Sequence, residues 1–206
     1  WDAGSSTVSN TNGNVTSSVR ANQSAGFSIV TYSGNSTSGA TVGHGLSAAP
    51  AFWMLKARNS SDSWIVRHTS IANTHYLVLN STQAAANPIS DVTGDTDPTS
   101  SVIPIGDSDT NNSGTNYVGY IFAPVEGFSA FGSYDGNGST DGAFVYTGFR
   151  VAFLILKCHT TSELWMMHDS TRDPDNVVSK LIQPHTSDAE IDSVTNYGVD
   201  FLSNGF

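Results

Sequence analysis

One stretch of this chain occurs twice. Gly26-Phe27-Ser28-Ile29-Val30-Thr31-Tyr32-Ser33-Gly34-Asn35 returns as Gly127-Phe128-Ser129-Ala130-Phe131-Gly132-Ser133-Tyr134-Asp135-Gly136-Asn137. The residues downstream return as well: Leu55-Lys56 is answered by Leu156-Lys157, and Trp64 by Trp165, all 101 positions on. The chain therefore reads as a tandem repeat of about one hundred residues. A unit of that length can enclose its own core, unlike the short units of a solenoid.

The repeats are built of short β-like segments. Phe27–Tyr32 alternates apolar and small polar residues, the period of a half-buried strand. Ala51–Lys56, Trp64–His68, Tyr76–Asn80, Ser101–Ile105 and Tyr117–Phe122 come next, separated by turns rich in Gly, Asn, Asp and Pro. The second copy predicts strands at Phe128–Tyr134, Phe144–Tyr146, Val151–Leu156, Leu164–His168 and Val177–Ile182. Helical periodicity is weak, with single turns expected at Gln83–Ala86 and Asp188–Asp192. Many short strands with turns between them predict an all-β fold of two tandem antiparallel β-sandwich modules, jelly-roll or concanavalin A-like. The expected division is 1–25 as the end of a preceding module plus a linker, 26–126 as sandwich repeat 1, and 127–206 as sandwich repeat 2. By the repeat logic the second copy lacks a counterpart of Tyr117–Phe122 and is C-terminally incomplete. Trp1-Asp2-Ala3-Gly4 reads as the tail of a strand, with Trp1 expected in the place of Phe122 or a neighbour of it.

Composition narrows the function. Net charge is −10 with only eight Lys and Arg, which disfavours nucleic acid and anionic membrane surfaces, because both need clustered cations. No apolar run approaches the roughly 20 residues of a membrane span. The single cysteine, Cys158, excludes an internal disulfide and reads as a half-buried strand thiol.

The pattern Gly-Phe-Ser-Ile-Val-x-Tyr-x-Gly-Asn, followed by Ala40-Thr41-Val42-Gly43-His44-Gly45-Leu46, Ala49-Pro50, Lys56, Trp64 and Leu79-Asn80-Ser81-Thr82, resembles tandem modules of marine tailed phages. The second copy does so too, through Gly136-Asn137-Gly138-Ser139, Phe144-Val145-Tyr146-Thr147-Gly148-Phe149-Arg150, Arg172-Asp173-Pro174 and Asp200-Phe201-Leu202-Ser203-Asn204-Gly205-Phe206. Such modules occur in tail-fibre-like and other virion structural proteins and are described as concanavalin A-like lectin modules. The resemblance implies a virion-surface, extracellular protein and a homo-oligomer, preferentially a trimer. It also implies other virion proteins and a host-cell glycan or receptor as partners. It carries no catalytic signature.

The residues themselves agree with that reading of the chemistry. A glycosidase needs two carboxylates at fixed separation. Only Glu126, Glu163 and Glu190 are glutamates, and Glu190-Ile191-Asp192 begins a laminarinase-type pattern that Thr195 leaves unfinished. No catalytic residue and no metal ligand is therefore assigned, although a depolymerising tailspike enzyme and a purely architectural decoration protein remain the alternatives. Structural Ca²⁺ is conceivable where Asp91, Asp95 and Asp97, Asp107 and Asp109, or Asp135 and Asp141 crowd a loop. Sugars present apolar C–H faces and hydroxyl edges, so a binding site pairs an aromatic ring with amides and carboxylates. The candidates are Tyr32 with Asn35, and Tyr134 with Asp135 and Asn137. Trp64 and Trp165 read as core residues.

Overall fold

The computed structural model describes residues 1–87 and 92–206, and the fold is all-β. The chain divides into two compact units. Unit 1 comprises Trp1–Leu79 and Ala85–Val125; unit 2 comprises Asn80–Ala84 and Glu126–Phe206.

Unit 1 is organised by a seven-stranded antiparallel sheet. Its strands are β1 (Val8–Asn10), β2 (Ser17–Asn22), β3 (Phe27–Ser33), β5 (Phe52–Ala57), β6 (Ile65–His68), β7 (Leu77–Val78) and β9 (Asn116–Phe122). Their order in the sheet is β1-β2-β3-β9-β5-β6-β7. Strand β9 arrives last and inserts between β3 and β5, pairing Phe27 and Phe52 with Phe122 on either side. A second ladder joins β4 (Thr41–Gly43) to β8 (Val102–Pro104). Val42 and Ile103 from that ladder pack with Val19, Val30, Leu55 and Ile121 from the large sheet, so the core lies between two β layers. Period-2 alternation decides the faces. Tyr32, Val30, Tyr117, Ile121, Trp53 and Leu55 point into the core, while Ser18, Thr31, Ser33 and Asn116 point outward. Burying side chains of this size stabilises by roughly 1.5–3 kcal/mol each.

Residues 2–25 are not a linker. β1 and β2 belong to the large sheet, and Val15 and Val19 are buried in its core. Serine hid the alternation: Ser17 faces inward beside Val19, and its Oγ donates to Gly43 O at 2.8 Å. Trp1 lies edge-on against the Phe122 ring, with centroids 5.2 Å apart.

Unit 2 contains β10 (Phe153–Lys157) paired with β11 (Trp165–Asp169), and β12 (Lys180–Leu181) paired with β13 (Ile191–Asp192). One short helix, α1 (Val194–Tyr197), comes after them. The pairings repeat those of unit 1. Phe52↔His68 and Leu55↔Ile65 become Phe153↔Asp169 and Leu156↔Met166, each residue shifted by 101. The turn that follows each hairpin is copied too. Ser70 N donates to His68 Nδ1, and Thr171 N donates to Asp169 Oδ1. The pairing of Val42 with Ile103 reappears as backbone hydrogen bonds between Val145 and Phe206, both residues shifted by 103.

Several expected elements differ. Phe128–Tyr134 forms no strand, and Phe144–Tyr146 contributes only the Tyr146↔Gly205 bridge. Strand propensity is present there, but among the described residues these segments make only isolated bridges and no continuous ladder. Gln83–Ala86 is not helical, because Ala86 bridges Tyr76 instead. Asp188–Asp192 is not helical either: Ile191 and Asp192 are drawn into pairing with β12. Cys158 is exposed rather than half-buried.

Candidate functional site

The outer end of β2, β3 and β9 forms an open cleft of about 520 Å³ in unit 1. Strand geometry makes it polar. Ser18 and Thr31 face each other across β2 and β3, and Ser33 faces Asn116 across β3 and β9. All four lie on the sheet's outward parity. Ser33 Oγ donates to Asn116 Oδ1 at 2.7 Å, and the Asn116 backbone N–H donates to Asn59 Oδ1 at 2.9 Å. Arg58 comes directly after β5. Its backbone N–H donates to Asn116 O at 2.7 Å, holding the exposed side chain at the rim. No Asp or Glu lines the cleft, on a chain with eighteen of them. Among the described residues Arg58 has no carboxylate partner within ion-pair distance.

Tyr32 and Asn35 both border this cleft, but neither presents itself as expected. Tyr32 is 5% exposed; its Oη donates to Thr110 O at 2.6 Å, and its ring stacks on Tyr117 at 5.0 Å. Burial, and then the neighbouring Tyr117, raise its phenol well above the ordinary tyrosine value. Tyr32 is a protonated core residue, and its position at a strand end did not expose it because residues 106–112 fold over it. Asn35 Oδ1 accepts from Thr37 N at 3.0 Å and from Asn111 Nδ2 at 3.1 Å, so its amide organises the loop. Asn111 is fully buried and satisfied: it also donates to Thr37 O, and its Oδ1 accepts from Asn35 N at 2.9 Å.

Tyr134, Asp135 and Asn137 belong to unit 2, apart from the cleft residues. Tyr134 is half exposed and meets Phe206 edge-on at 5.9 Å. Burial of the rest of it, then the Cys158 thiol, raise its phenol above the ordinary value. Asn137 Oδ1 accepts from Ser139 N at 3.0 Å, the same Asx turn that Asn35 makes in unit 1. Asp135 is exposed. Trp165 is buried, while Trp64 is half-buried and stacks on Tyr120 at 6.1 Å.

Sequence reasoning missed Arg58, Ser33, Thr31 and Asn116. Their assembly depends on β9 lying beside β3, and no local signal encodes that neighbour. A trace was available: Arg58 is one of few cations and sits directly after a strand.

Among the described residues no three His, Cys, Asp or Glu side chains converge closely enough to hold a metal ion; Asp91 lies outside the described residues. Asp95 instead accepts from Thr93 Oγ1 at 2.5 Å, closing its own turn. Cys158 Sγ shares hydrogen bonds with the hydroxyls of Thr160 and Thr161 at 3.5 and 3.1 Å, and these lower the thiol to about 7.

No curated protein and no solved structure matches the chain. A family model does match, along residues 1–206, and the chain belongs to that family, described as a domain of unknown function, DUF7483.

Proposed function

We propose that this chain is a non-catalytic adhesive module of a tailed-phage virion surface protein, built of lectin-like β-sandwich repeats, that holds a host-surface glycan in the unit 1 cleft. The acid-free cleft carries the reading: hydroxyls, amides and one cation that has no carboxylate partner among the described residues line it on an otherwise acidic chain. Hydroxyl and amide pairs match the donor and acceptor edges of a sugar. Arg58 adds a planar fork that suits a carboxylate or sulfate on the polymer. Two-carboxylate hydrolysis has no groups to run on in this cleft. The virion setting rests on the motif resemblance. In a trimeric fibre many weak sites would act together.

The test incubates the protein with neutral and anionic polysaccharides and tracks binding and polymer length together. Binding with unchanged length, weakened by roughly 10- to 100-fold by Arg58→Ala, is the expected result, since a hydrogen bond to a charged group contributes about 1.5–3 kcal/mol. Shortened polymer would reassign the chain to depolymerisation. Absence of binding to every polymer would assign it an architectural role.

A further inference from the structure

Unit 2 copies the β5–β6 hairpin of unit 1 but not its surroundings. In unit 1, β5 has a strand on each edge: β6 on one side and β9 on the other. In unit 2, β10 pairs with β11 in the same register, and among the described residues no strand lies on its second edge. Ser170 N donates to Ala152 O at 3.0 Å, as Thr69 N donates to Ala51 O at 2.9 Å. Backbone groups alternate along an antiparallel strand, so residues 152, 154 and 156 bond toward β11, while Ile155 and Lys157 direct theirs away from it.

Exposure shows the same difference. Phe27 and Phe52 are each 8% exposed, and their rings meet Phe122 of β9 at 4.7 and 5.6 Å. Their counterparts Phe128 and Phe153 are 51% and 41% exposed. Leu55 and Ala57 are buried, whereas Leu156 is half-buried and Cys158 is exposed. Each of these positions, covered in unit 1, is more open in unit 2.

We infer that unit 2 is a strand acceptor: the edge of β10 opposite β11 takes an extended segment with the sequence character of β9, antiparallel, in the register that β9 keeps with β5. Unit 1 supplies both halves of the interface and its register. Phe122, Tyr120 and Gly119 stand opposite Phe52, Met54 and Leu55, so the incoming aromatic would face Phe153 and the incoming glycine would face Leu156. The glycine is a selectivity element. A Cβ on Gly119 would lie 2.8 Å from Leu55 Cδ2, and Leu156 occupies the equivalent place. Strand addition of this sort draws affinity from main-chain bonds and specificity from alternate side chains. It is independent of the glycan reading, which concerns unit 1.

The experiment adds a fluorescent peptide of residues 114–124 to the full 206-residue chain. The expected result is saturable binding, slowed hydrogen exchange at the Ile155 and Lys157 amides, and slower alkylation of Cys158. A Gly119→Val peptide should bind at least tenfold more weakly. A second format, the same strand tethered after Phe206 through a Gly/Ser linker, should give the same protection where free peptide self-associates. No protection of Ile155 and Lys157 in either format would overturn the proposal. Equal binding of the Gly119→Val peptide would overturn the register. Dimerisation of the chain itself through β10 would overturn the choice of occupant.

Discussion

At the scale of single residues, buried polar groups decide local structure. His44 is fully buried, its Nδ1 accepts from Leu46 N at 3.1 Å, and its Nε2 lies 3.2 Å from Thr99 O. That pattern admits only the neutral ring with the proton on Nε2. Burial lowers the imidazole below its ordinary value, with the Thr99 carbonyl opposing, and burial likewise lowers His168 in unit 2. The unfolded chain therefore takes up these protons first. Stability falls as pH drops below the ordinary histidine range of about 6.5, and is regained above it. Thermal melts at pH 7.5 and 5.5 should show that loss, and a ring-proton NMR titration should find His44 taking up its proton below the ordinary histidine range. Asn111→Ala should cost about 2–3 kcal/mol in urea unfolding, because it leaves the Asn35 amide and the Thr37 carbonyl without their buried partner.

At the scale of elements, one position on β5–β6 takes different solutions in the two copies. Arg67 is buried, donates to the carbonyls of Asn73 and His75, and lies 5.5 Å from the Trp53 ring. His168 fills the same register opposite Leu154. The backbone ladder is thus what the two copies share, and the core is repacked around it. Gly119→Val should destabilise by about 1–3 kcal/mol, because the new side chain overpacks Leu55 across β5 and β9; chemical denaturation would read the loss. β3, β5, β6 and β9 were legible because apolar residues alternate or run unbroken. β2 was not, because Ser17 faces the core as a hydrogen-bonded residue. Phe128–Tyr134 misled in the other direction: its sequence favours a strand, yet a strand exists only beside a partner. The cleft was illegible for the same reason. Tyr32 and Asn35 mark its place, but Arg58 and Asn116 reach it through long-range pairing.

At the scale of the molecule, the two units differ in how much backbone each satisfies. Seven strands share one sheet in unit 1, whereas unit 2 holds two-stranded ladders. Native-state hydrogen exchange should therefore be slowest at the β9 amides, which have strands on both sides, and fast at Ile155 and Lys157. Equal protection in both places would contradict the topology. The position of β9 also bears on how the chain comes off the ribosome. Ser33 and Asn116, hydrogen-bonded across β3 and β9, are 83 residues apart in sequence. Until residue 122 has emerged, β3 and β5 are both open edges of a half-built sheet. Pairings this distant close slowly, and unpaired edges invite association with other nascent chains. Synthesis rate and crowding on the polysome thus become determinants of yield, and a pause placed before residue 116 should lower the soluble fraction.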